Sequence, residues 1–141
     1  MIDFGIDFGT TNTAVVECIR TSHDVSTTPC GEGNLPFPSL VALHATEPFV
    51  FGMEVKKRRH QLRARGYTVI SSFKSILGSP WQTTVGKRTW SAVEVTALFL
   101  QYVRQSVEKQ CGTSMREAVI SIPVDFSREQ RKALREAASV S

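Results

Sequence analysis

The sequence predicts an α/β protein, and four stretches carry that reading. Residues Ile2 to Val16 set two apolar, β-branched runs around a tight polar centre, Gly9-Thr10-Thr11-Asn12, the pattern of a hairpin whose loop carries chemistry. Ser91-x-x-Glu94 and Ser127-x-x-Gln130 are capping boxes, each opening a segment of helical periodicity. Between those helices, Glu117 to Ile122 is an apolar run stopped by Pro123, read as a buried strand.

The elements follow in order. After the first strand, the second is expected over Ala14 to Cys18 and a third over Val25 to Thr27. Pro29 to Pro38 is rich in Gly and Pro and reads as a connection. Ser39 to Leu43 and Phe49 to Phe51 read as short strands, and Gly52 opens a basic helix that Gly66 breaks. Within Tyr67 to Gly78, Ser71 or Ser72 is expected to cap a helical turn carrying Phe73, Ile76 and Leu77 on one side, with Lys74 pointing off it. A hairpin around Val85-Gly86-Lys87 precedes the longest helix. That helix carries Val93, Ala97, Leu100, Val103 and Val107 as its core stripe, and Gly112 ends it. The last helix runs from Ser127 through Ala138.

At 141 residues the chain has length for one domain of ordinary size or part of one. No apolar run approaches the roughly eighteen residues of a membrane span, and the N-terminus reads as a strand without a secretory signal, so a cytoplasmic protein is expected. Cys18, Cys30 and Cys111 are odd in number and widely spaced, which argues against a disulfide framework and against a zinc site. His23, His44 and His60 are equally scattered. The net charge of +4 is local: between Glu54 and Gly66 six basic residues stand against one acid, a net +5 that leaves −1 for the rest. Four consecutive cations, Lys56 to Arg59, point around a whole helical circumference and favour a solvated peripheral helix over a nucleic-acid face.

The Gly9 loop looks built for an anion. Gly9 can take positive φ and lets a ligand approach the main chain, while the N–H groups of Thr10, Thr11 and Asn12 and the two hydroxyls suit phosphate oxygens. Asp7 adds a carboxylate that makes sense beside phosphate if Mg²⁺ lies between them. Three other motifs fail. Gly31-Glu32-Gly33 is followed by Pro36 where a dinucleotide fingerprint needs its third Gly, Ser71-x-x-Lys74 lacks the companion elements of penicillin-binding enzymes, and Gly86-Lys87 lacks the Walker glycine and is followed by Arg88.

Gly5-Ile6-Asp7-Phe8-Gly9-Thr10-Thr11-Asn12-Thr13 resembles the first phosphate loop of the seventy-kilodalton heat-shock chaperone family, within the actin-like ATPases. Phe73-Lys74-Ser75-Ile76-Leu77-Gly78 resembles that family's segment in which a Lys reaches the terminal phosphate. The order strand, Pro123, Phe126, Ser127, Gln130, Arg131 resembles the segment that relays nucleotide state, with Asp125 standing where the family has an aromatic. The resemblance implies an actin-like (ribonuclease H-like) lobe. A lower subdomain with a mixed β-sheet would comprise residues 1–28 and 114–141, and an inserted upper α+β subdomain residues 36–112. It implies ATP or ADP and Mg²⁺ as cofactors, with Asp7, Gly9, Thr10, Thr11 and Asn12 binding them and Asp7 facing the metal through water. Lys74 would be catalytic, Pro123 and Arg131 would form an allosteric relay, and client proteins and co-chaperones would be partners of the full-length protein. Neither a membrane nor a nucleic acid is expected as partner. The family continues with a second phosphate loop and an adenosine pocket beyond the motifs present, so the domain is expected to be incomplete and this stretch alone inactive. A non-enzymatic protein-binding lobe, or part of a sugar or metabolite kinase of the same superfamily, remains an alternative.

Overall fold

In the first strand, β1 (Ile2–Phe8), alternation sends Phe4, Ile6 and Phe8 into the core and leaves Asp7 exposed. The computed structural model describes residues 2–141; Met1, the first residue of the expected lower subdomain, lies outside the described residues. β1 pairs antiparallel with β2 (Asn12–Arg20), Ile6 opposite Val15 and Phe8 opposite Thr13. β2 in turn pairs with β3 (Val25–Cys30) and, at its start, with the two-residue β4 (Phe37–Pro38). Both β2 and β3 run longer than their apolar patterns suggest. β3 is an edge strand exposed along most of its length, where Pro29 is tolerated because no further neighbour needs its missing N–H.

A second sheet is formed by β5 (Leu40–Leu43) between β6 (Val50–Phe51) and a strand the sequence reading lacks, β7 (Thr68–Ser71). All four β5 residues are buried, because both faces are covered. Val41 and Leu43 join the main core, while Leu40 and Ala42 meet Val55 and Leu62 of the basic helix α1 (Met53–Ala64). The helical turn α2 (Phe73–Ile76) follows, but its expected hydroxyl cap does not form. Ser72 is left-handed (φ 55°, ψ 29°) and makes no side-chain cap; its carbonyl instead accepts from the Ser75 amide and hydroxyl. Gly78, at φ 79°, brings the end of this segment onto the chain at Gln130, too close for a side chain at that position.

The hairpin β8 (Gln82–Val85) and β9 (Arg88–Ser91) leads into α3 (Ala92–Cys111), a 20-residue helix. Both halves of its capping box form, Ser91 Oγ accepting from the Glu94 amide and Glu94 from the Ser91 amide. The fully buried apolar line is Val95, Phe99, Val103 and Val107; Val103 and Val107 belong to the stripe read from sequence, Val95 and Phe99 do not, and Val93 is only partly buried. Phe99 contacts the Phe8 and Phe73 rings, tying α3 to β1 and α2.

β10 (Ala118–Ser121) is a correction to the buried strand expected there. It pairs parallel with β1 at the edge of the large sheet, whose order is β10-β1-β2-β3, and Val119 is 76% exposed. Only one of its faces is covered, so Ala118 and Ile120 turn inward while Val119 and Ser121 do not. The last helix, α4 (Arg128–Val140), opens on the second predicted capping box and buries Ala133, Leu134 and Ala137. The architecture is thus mixed α/β, with parallel and antiparallel pairs in the large sheet. No helix among the described residues is long and apolar enough to cross a membrane.

Candidate functional site

The connection from β1 to β2 stands at the surface, with Thr10, Thr11 and Asn12 all exposed. Gly9 does not use the positive φ open to it and lies outside the left-handed region. Its requirement for glycine is steric: a Cβ there would collide with the Asn12 carbonyl oxygen, so the turn closes only around a bare Cα. Behind the turn sits Ser39, which sequence reading did not single out. Its amide donates to the Thr11 carbonyl (2.9 Å), and its hydroxyl donates to the Gly9 carbonyl (2.9 Å) and accepts from Thr13 Oγ1 (3.0 Å). Thr13 and Ser39 are 0% and 2% exposed, so this network is sheltered from water and fixes the shape of the turn.

In front of the turn is a cavity of about 140 Å³ lined by Thr10, Thr11, Asn12 and Ser39, by Ser71 and Ser72, and by Lys56 and Arg59. Lys56 and Arg59 reach the same cavity from either side of a break in the helical geometry of α1 at Arg58 (φ −118°, ψ 20°). Arg58 pairs with Glu54 and Arg65 with Glu47, but Lys56 and Arg59 form no ion pair among the described residues. The basic run is largely exposed, as its spacing suggests, yet two of its cations face the loop. This volume lies below the roughly 300–1,000 Å³ of pockets for drug-sized ligands and has room for a phosphate-sized group.

Asp7 is exposed at the end of β1, and its Oδ1 accepts a hydrogen bond from Ser121 Oγ on β10 (2.9 Å). Its other oxygen makes no hydrogen bond among the described residues. Lys74 is half-buried on α2, whose preceding residue, Phe73, stacks on Phe8 with ring centroids 5.8 Å apart. That stack brings α2 against the strand that ends in the loop. The Lys74 ammonium lies 5.6 Å from the centroid of Phe126, a cation–π contact with the turn in which the Phe126 amide donates to the Pro123 carbonyl. Pro123 and Lys74 are therefore neighbours through Phe126. Arg131 is not brought to them by any recorded contact; it is exposed beside Ile122 and Leu134 in a groove between β10 and α4.

Comparison with known proteins bears on the whole chain. A family model described as Hsp70 protein matches residues 80–141. The chain is 31% identical over 140 residues to the chaperone protein DnaK of Ureaplasma parvum serovar 3, covering 99% of this chain and 22% of that protein. With the same-named protein of Ureaplasma urealyticum serovar 10 it shares 30% over 140 residues, again 99% and 22%, and with that of Thermosipho africanus 29% over 137 residues, 97% and 22%. The chain thus spans about a fifth of the length of these relatives, 22% in each case.

Proposed function

We propose, from the premise that the chain belongs to the Hsp70 protein family, that it supplies the phosphate-gripping part of a chaperone ATPase whose nucleotide cycle drives client binding and release in the cytoplasm. One observation supports this above the others: an exposed Gly-Thr-Thr-Asn turn, braced from behind by Ser39, shares a phosphate-sized cavity with two cations that have no carboxylate partner among the described residues. In this reading the main-chain amides of residues 10–12 and the Thr10 and Thr11 hydroxyls bind phosphate oxygens of ATP or ADP. Asp7, steadied by its hydrogen bond from Ser121, would hold a magnesium ion through water, and that ion would supply positive charge to the bound phosphates. Lys74, steadied over the Phe126 ring, offsets negative charge that develops during phosphoryl transfer.

The division into a lower unit, residues 1–28 with 114–141, and an upper unit, residues 36–112, in an actin-like lobe belongs to the same proposal. α3 would be their shared wall, since its side chains join one core with Phe4 and Ile6 from one sheet and Val41 and Leu43 from the other. In the same reading Pro123 senses the cleft and Arg131 passes the signal outward to co-chaperone or client contacts; the Lys74–Phe126 contact supports the Pro123 half of that relay.

The test is kinetic. In the full-length protein containing this stretch, Lys74→Ala should lower ATP turnover by about 10²-fold or more while nucleotide affinity stays within a few fold. The stretch by itself should bind MgATP more weakly than micromolar in calorimetry, because what its cavity has room for is a phosphate-sized group. Undiminished turnover in Lys74→Ala, or micromolar affinity in the short chain, would overturn the assignment.

A further inference from the structure

Two cysteines separated by 81 positions meet beside the β2–β3 ladder, where Cys30 is paired with Val15. Cys30 is the last residue of β3 and Cys111 the last of α3, and their sulfurs are 3.9 Å apart. A carboxylate oxygen of Glu17 completes a cluster in which the three ligand atoms lie within 4.8 Å of one another. The placement follows from the fold. Val15 on β2 is opposite Cys30 across the ladder, and Glu17, two residues on, projects from the same face, the face that α3 covers.

The neighbourhood holds these groups in place. The Gln110 side chain accepts from the Gly31 amide (2.8 Å) and donates to Asn34 (3.3 Å), so the residues next to each cysteine are tied together. Cys30 is 2% exposed and Cys111 is partly open to solvent, which leaves a route inward from one side.

We infer that Cys30, Cys111 and Glu17 form a binding site for a thiophilic divalent cation of the zinc class, with water in the fourth position. The geometry suits that ion. Two thiolates each about 2.3 Å from a tetrahedral zinc stand about 3.8 Å apart, close to the separation the sulfurs already have. A calcium- or magnesium-like ion is disfavoured, since those take oxygen donors and this site offers two sulfurs. Binding exchanges two thiol protons for the metal: both S–H bonds break, two S–metal bonds form, and the protons go to solvent with no change of oxidation state. Burial holds both thiols above their usual range, Cys111 up to about 12, so without a cation they stay protonated and poor nucleophiles. The bound ion would cross-link the end of β3 to the end of α3.

The probes are Co²⁺ and Zn²⁺, added to the intact chain kept reduced with a phosphine. One equivalent of Co²⁺ should give the intense near-ultraviolet thiolate-to-cobalt band with tetrahedral visible bands, and Zn²⁺ should displace it and raise the melting temperature. Cys30→Ser and Cys111→Ser should each lose the two-thiolate spectrum. Glu17→Gln should keep a thiolate band and weaken Zn²⁺ by at least about tenfold, since even outer-shell partners are worth that much. Cys18→Ser is the control for folding and for stray thiol binding; Cys18 neighbours Glu17 but projects from the opposite face of β2, so its variant should match the parent. The site is overturned if no thiolate band appears, if the band survives Cys30→Ser, or if the pair yields only a disulfide with no metal uptake when reduced.

Discussion

The hydroxyl of Ser39 serves two partners in a place that excludes water: it donates to the Gly9 carbonyl and accepts from Thr13. Ser39→Ala removes both bonds and strands a buried Thr13 hydroxyl, which should cost about 1–3 kcal/mol. Thr13→Val removes only the outer member, and once it is made the further loss on Ser39→Ala should shrink, because no hydroxyl is then left unpaired. Urea denaturation of the four-member cycle checks this, and strictly additive losses would show that the two hydroxyls do not share an energetic network. The chemistry of this turn was readable from Gly9-Thr10-Thr11-Asn12 because those donors are contiguous. Its support was not, since Ser39 reaches the turn only through the pairing of β4 with β2. Lys56 and Arg59 were hidden for a related reason: a run of cations gives no sign of which two will face a loop more than forty positions earlier.

At the scale of elements, punctuation was more legible than pairing. Both capping boxes form as their spacing predicts, because each is a local exchange of hydrogen bonds across one helical turn. Ser91→Ala or Ser127→Ala should each destabilise the fold by about 1 kcal/mol. Ser72 looks alike in sequence but does no capping and occupies a left-handed conformation, so Ser72→Gly should relieve backbone strain of about the size of the entropy glycine adds to the unfolded chain. Its stability should stay within about 0.5 kcal/mol of the parent, whereas a loss comparable with that of Ser91→Ala would mean the hydroxyl has a capping role after all. Strands were harder. β7 exists because β5 offers it a ladder, and β3 continues through Pro29 because it is an edge; neither fact resides in the residues themselves. β10 has the apolar run of a covered strand but lies at the sheet edge with Val119 outward, since an apolar pattern reports affinity for burial and not the presence of a cover.

Over the whole molecule, one core cluster runs from Phe4 to Ala137, and the surface carboxylates that clasp its periphery make the fold acid-sensitive in a definite direction. Odd number and wide spacing argued against a disulfide framework and a zinc site, but a core closed by α3 brings Cys30 and Cys111 together, a convergence that spacing alone does not encode. The same closure depends on Glu108, which accepts from the Met115 amide (2.7 Å) and pairs with Arg104, holding the end of α3 to the segment that enters β10. These bonds, the Met115 amide first, hold its carboxyl below the usual 4.5. Glu94 is pushed up by burial, but the Ser91 amide and Arg88 outweigh that and leave it below 4.5. Burial likewise opposes ionisation of Glu47, and Arg65 prevails. In each case the folded carboxyl is the stronger acid, so the unfolded chain binds more protons in the acidic range. The stability these groups contribute is present above the unfolded value of about 4.5 and is lost as pH falls through their lower folded values. Urea midpoints should therefore decline as pH is lowered from about 5 to about 3, and Glu108→Gln, which keeps an acceptor but no charge, should be less stable at neutral pH and show a shallower decline. A midpoint independent of pH over that interval would mean these clasps add nothing to folding.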